Sequence, residues 1–195
     1  MRTAEINRKT KETDIKLSLN IDGNGTCKIN SGCGFFDHML ELFAVHGCSD
    51  LTVDCAGDTQ VDCHHSVEDI GIALGAAFKK ALGNCAGIKR YGNMILPMDE
   101  ALMLCALDIS GRGYCSCNFE LPVAKLGTFD TELAEEFFVA FSRECGITLH
   151  FKKLAGKNTH HILEAAFKSF ARALSVATDV DEKRAGSIPS SKGVI

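Results

Sequence analysis

The chain has 195 residues, 46% hydrophobic and 24% charged, with a formal net charge of −4. That length buries a real core as one large domain or two small ones, and the charge balance excludes non-specific attraction to nucleic acid or an acidic membrane surface. The 10 cysteines include no CxxC pair and no zinc-finger ladder, and no apolar run approaches the roughly 18 residues of a membrane helix.

The first residues, "MRTAEINRKTKETDI", lack an apolar core and mix acids with bases, so they read as neither a signal nor a transit peptide. A cytoplasmic location is expected, with the cysteines as buried free thiols. Residues 12–22 alternate Ile15, Leu17, Leu19 and Ile21, as a half-buried strand does, and 25–32 reads as a second strand. Residues 35–47 place Phe36, Met39, Leu40 and Phe43 on one helical face and end near Gly47. A strand over 50–57 closes on Gly57. "DCHHSVED" (62–69) then opens a helix carrying Ile72, Leu74, Ala77, Phe78 and Leu82. The stretch "AGIKRYG" (86–92) marks a boundary.

Strands are expected over 101–110 and 114–121; on the second, Cys115 and Cys117 share a face. A helix over 133–146 buries Phe137, Phe138 and Phe141 and ends at Gly146. A strand follows over 146–156. "NTHHILE" (158–164) then opens a last helix with Ala166, Phe167, Phe170, Leu174 and Ala177. The closing "GSIPSSKGVI" has no core pattern and, taken alone, is a tail.

The unit helix–strand–loop–HHxxE helix is therefore present twice. The expected fold is α/β (α+β): two related halves, each a mixed or largely antiparallel sheet covered by helices on one face. Residues 1–195 form one domain of two repeats, approximately 1–87 and 88–195.

Residues three or four apart share a helix face, so each HHxxE can present imidazole beside carboxylate. Adjacent histidines point about 100° apart and serve different ions or a contact across copies. Imidazole with carboxylate suits Mn, Fe or Zn. Alignment of the halves predicts two ligand sets, His38/His64/His65/Glu68 and Glu136/His160/His161/Glu164. Asp62 and Asn158 are either helix caps or partners for the far nitrogen of a histidine. Asp99 and Glu100, in "PMDEAL", are either a plain turn or contacts to ligand histidines or substrate. His150 is expected as a core or edge histidine. Two rivals are weaker. A metal-dependent hydrolase of the inverted-zincin type needs His-x-x-Glu-His, and a di-iron store needs four long helices.

"FDHML", "DCHHSVED", "PMDEAL", "DISGRGY", "NTHHILEAAFKSFARAL" and "IPSSKG", in that order, resemble the imidazoleglycerol-phosphate dehydratases of histidine biosynthesis, from Arg8 to Gly193. The resemblance implies dehydration of D-erythro-imidazole-glycerol phosphate to imidazole-acetol phosphate. It also implies a duplicated fold similar to the second domain of ribosomal protein S5. Two Mn(II) ions per active site and a homo-oligomer of 24 subunits built from trimers, with active sites shared between subunits, follow from it as well. By position it makes His38, His64, His65, Glu68, Glu136, His160, His161 and Glu164 metal ligands, with Glu136 standing where many members have histidine. It makes Glu12 the catalytic acid, acting with His65, Glu68, His161 and Glu164. His46 and Asp99 line the substrate pocket, which His38, His64, His65, Glu68 and Glu12 also face. Arg90, Arg112, Ser190, Ser191 and Lys192 take the phosphate, so the tail becomes an ordered clamp.

Overall fold

A computed structural model describes residues 1–184 and 186–195. The first half runs β1 (Thr3–Lys9), β2 (Thr13–Asn20), β3 (Cys27–Asn30), α1 (Gly34–Gly47), β4 (Asp50–Gly57) and α2 (His64–Leu82). The second runs β5 (Tyr91–Met98), β6 (Ala101–Ile109), β7 (Tyr114–Asn118), a small hairpin of β8 (Lys125–Leu126) and β9 (Phe129–Asp130), α3 (Leu133–Cys145), β10 (Ile147–Ala155) and α4 (Thr159–Thr178).

The two four-stranded sheets have one topology, β1-β2-β4-β3 and β5-β6-β10-β7. In each, the last strand pairs in parallel, β3 with β4 and β7 with β10, and the other pairs are antiparallel. Four strands exceed the sequence reading: β8 and β9 of the small hairpin and, in the main sheets, β1 and β5. The latter two are edge strands. An edge strand needs few inward apolar residues; β1 buries only Ala4 and half-buries Ile6 among charges, which hides its alternation.

Helices α1 and α2 pack on the first sheet, α3 and α4 on the second. The helix layers then meet crosswise, α2 against α3 and α1 against α4. Each half therefore completes its core with the other. The seam is aromatic: Phe36 meets Phe137 at 5.3 Å between ring centroids, and Phe43 meets Phe170 at 5.4 Å. All four rings are no more than 1% exposed. Close approach of α2 to α3 depends on two glycines one turn apart. A Cβ at Gly71 would lie 2.9 Å from the Phe137 carbonyl oxygen, and one at Gly75 would lie 2.6 Å from that of Phe141.

α1 ends one residue later than the sequence suggests: Cys48, not Gly47, adopts the left-handed cap, at φ 52°. α3 ends at Gly146 in the same conformation, at φ 75°. His150 is neither a core nor an edge histidine. It stands exposed on the outer face of β10, an inner strand, 5.4 Å from the Tyr114 ring. The tail packs back: Gly87 N–H donates to the Ser187 carbonyl at 2.8 Å, and Pro189 is buried. Among the described residues no helix is long and apolar enough to cross a membrane.

Candidate metal centre and active site

Asn158 starts α4. Its Oδ1 accepts from the backbone N–H groups of His160, at 2.9 Å, and His161, at 3.4 Å, satisfying donors that a helix start leaves open. Asp62, one residue ahead of the cap position Cys63, accepts from His64 N–H at 2.7 Å and so holds the turn into α2. Asn158 is a cap, and among the described residues neither side chain bonds an imidazole ring.

His160 and Glu164, four apart on α4, meet at 2.9 Å between Nε2 and Oε1. Because α1 packs on α4, His38 reaches the same oxygen at 3.4 Å. His38, His160 and Glu164 are the one group among the described residues able to hold a metal ion, with donor atoms within 4.8 Å of one another. Within one chain, His38 therefore stands beside the second HHxxE rather than the first, where the repeat would place it. Similarity between repeats suggested pairing within each half, whereas the helices pack between halves.

Burial opposes ionisation of Glu164, but Lys168, His160 and His38 outweigh it and hold its carboxyl at about 2. The Lys168 ammonium binds the other oxygen, Oε2. A carboxylate kept ionised, beside two imidazole nitrogens and no thiolate, fits a borderline divalent ion such as manganese, iron or zinc.

The second histidine of each motif is held by an acid. His65 Nδ1 meets Asp58 Oδ2 at 3.0 Å, and this hydrogen bond raises its pKa above the ordinary histidine value. His161 Nδ1 meets Glu100 Oε2 at 2.6 Å, with the same effect on the ring, and holds the Glu100 carboxyl at about 2. On the opposite edges, Glu12 Oε1 stands 3.9 Å from His65 Nε2, and Asp99 Oδ2 stands 3.7 Å from His161 Nε2.

Other expected residues stay apart within one chain. His64 lies beside His65, with ring centroids 6.1 Å apart, and joins no ligand group among the described residues. Glu68 Oε1 lies 3.8 Å from Arg143 of α3, so that first set is dispersed. Glu136 is half-buried on α3. His46 is held below its ordinary pKa by burial, then by the charges of Lys168 and Arg172.

Arg90, at φ 74°, donates through Nε and Nη2 to Asp108 at 2.7 and 3.2 Å, and through Nη1 to the Pro189 carbonyl at 2.9 Å. Ser190 Oγ accepts from Lys192 N–H at 3.2 Å. Ser191 and Lys192 are exposed, as is Arg112, whose loop abuts Ile195 at Gly111. Arg90 and the tail thus share one corner. Sequence reasoning missed Asp58 and Lys168. The spacing of Lys168, four after Glu164, was a usable signal; a lone aspartate after a glycine turn was none.

The sequence profile of the imidazoleglycerol-phosphate dehydratases matches residues 31–174. The chain is 58% identical over 193 residues to the imidazoleglycerol-phosphate dehydratase of Jannaschia sp. (strain CCS1), covering 99% of each chain. It is 56% identical over 194 residues to that of Desulforamulus reducens, covering 100% of this chain and 98% of the relative. The crystal structure of the Staphylococcus aureus enzyme superposes with a TM-score of 0.84 at 40% identity, over 92% of this chain and 99% of that one. This chain belongs to the imidazoleglycerol-phosphate dehydratase family.

Proposed function

We propose that the chain is a manganese-dependent hydro-lyase that converts D-erythro-imidazole-glycerol phosphate to imidazole-acetol phosphate and water, in the cytoplasm, for histidine biosynthesis. Family membership over the full length supports the reaction. The observation that carries the metal reading is the convergence of His38, His160 and Glu164 across the seam between halves. His64, His65, Glu68, Glu136 and His161 would supply the remaining ligands of the two ions, the adjacent histidines of each motif serving different ions. Bound divalent ions would make the substrate's imidazole a better electron sink for a carbon acid that has no adjacent carbonyl.

Glu12 is the candidate for moving the C2 proton. Loss of that proton and of the C3 hydroxyl gives an enol, which becomes the ketone. Asp99 and His46 line the pocket. Arg90, Arg112, Ser190, Ser191 and Lys192 would hold the phosphate, with arginine forks and backbone donors matched to its oxygens.

These groups sit far apart in one chain. α4 has 20 residues, about 30 Å end to end. His160 and His161 occupy its first turn, while Arg90 N–H donates to the Ala177 carbonyl near its last. A substrate with three carbons between ring and phosphate is far shorter than that. That separation supports an active site shared between copies, and the family resemblance makes the assembly a shell of 24 subunits built from trimers.

Ketone formation tests the reading. Metal-stripped protein is expected to be inactive and to regain turnover with Mn(II). A folded, manganese-loaded protein that forms no ketone would refute it.

A further inference from the structure

We propose that Asp58 and Glu100 are positioning residues that hold the Nδ1 edges of His65 and His161, so that both HHxxE motifs turn Nε2 toward a divalent cation. The proposal rests on the metal reading of these motifs. An imidazole has two nitrogens, and a proton on Nδ1 leaves the lone pair on Nε2. Both Asp58 oxygens face His65 Nδ1, at 3.2 and 3.0 Å. Glu100 gives Oε2 to His161 Nδ1 at 2.6 Å.

Each acid is itself anchored. Glu100 Oε1 accepts from the backbone N–H of Lys157 at 3.2 Å and of Asn158 at 2.8 Å, the residues that lead into α4. Asp58 sits in a turn closed at both ends, with its N–H donating to the Glu12 carbonyl at 3.1 Å and its carbonyl accepting from Val61 N–H at 2.8 Å. The Nε2 edges are not consumed. Their nearest acids, Glu12 at 3.9 Å and Asp99 at 3.7 Å, lie beyond hydrogen-bond distance.

The origins of the two acids argue that the contact serves a purpose. Asp58 follows Gly57, at the end of β4. The residue in that place in the second half, after Gly156, is Lys157, which cannot accept. The carboxylate there comes instead from Glu100, in the β5–β6 turn. A contact merely inherited with the duplication would come from matching positions. Here one contact is built twice from different places, as expected when the ring's task requires it. Such outer partners fix a ligand histidine's orientation and raise its basicity.

Mn(II) titration of the metal-stripped full chain, read from the electron paramagnetic resonance of free Mn(II), tests this with Glu100→Gln and Asp58→Asn. Both variants keep size and one acceptor oxygen but lose the charge and the second acceptor. Each should melt like the native metal-free protein and bind Mn(II) about 10- to 100-fold more weakly. Native affinity in both variants would overturn the proposal. A native chain that binds no Mn(II) would instead refute the metal reading beneath it. Should Glu100→Gln lose its fold, Asp58→Asn decides alone, because the Asp58 carboxylate accepts only from His65 among the described residues.

Discussion

Glu12 is half exposed, and in the sequence it is one charge among many near the N-terminus. Its neighbours on β1 and β2 place it. Asp69, 7% exposed on α2, accepts from Arg8 at 2.7 Å and from the Thr13 hydroxyl at 2.5 Å, and these two residues bracket the turn that carries Glu12. A buried carboxylate with three donors is expensive to disturb, so the turn is held against the helix of the first HHxxE. Glu12 thereby faces His65, and among the described residues no hydrogen-bond donor takes up its carboxylate. Replacing Glu12 with Gln removes the proton acceptor and keeps the shape. Turnover should fall by about 10²- to 10⁴-fold, while a Mn(II) titration should match the native protein. Normal turnover in that variant would remove Glu12 from the chemistry. The role was legible only through family resemblance, because the contacts that place Glu12 span more than fifty positions of chain.

Helices and inner strands were legible because their periodicity reflects burial on one side. Ile15, Leu17 and Leu19 are all buried, as are Phe36, Met39, Leu40 and Phe43. Of the four edge strands, β3 and β7 were legible but β1 and β5 were not, because each fully buries only one small residue, Ala4 or Gly92. Less visible still was which helix meets which. Two copies of a motif suggest two self-contained halves, yet α1 crosses to α4 and carries His38 with it. Gly71 and Gly75 are what a sequence reader could have used: small residues one turn apart on an apolar face mark a close helix contact. That contact is testable. Alanine is the better helix former by about 1 kcal/mol, so on propensity alone Gly75→Ala should stabilise the protein. A methyl there would lie 2.6 Å from the Phe141 carbonyl oxygen and 3.0 Å from Glu144 Cβ. Overpacking of that kind costs about 1–3 kcal/mol, so the crowding wins and the thermal midpoint should fall. A rise would mean that α2 and α3 have room to separate.

At the scale of the whole molecule, the two ends of α4 hold different chemistry. The first turn carries the metal-competent histidines, and the last lies beside Arg90, which Asp108 and the tail's Pro189 carbonyl hold in place. Neither end can complete a site alone if one substrate must touch both, so two defects in different copies should complement. His161→Ala removes a proposed ligand, and Arg90→Ala removes a proposed phosphate contact; each variant alone should form little ketone. Oligomers reassembled from an equal mixture would contain some sites whose metal side comes from the Arg90 variant and whose phosphate side comes from the His161 variant. If two copies contribute to each site and assembly is random, about a quarter of the sites are intact. Turnover of the mixture should approach that fraction of the native value, against near zero for either variant. The same two substitutions placed in one chain and mixed with native protein supply the control for subunit exchange, because native sites are then diluted rather than regained. A mixture as inactive as its parts, with exchange demonstrated, would show that each copy closes its own site, and α4 would then have to bend or shift for one substrate to reach both ends.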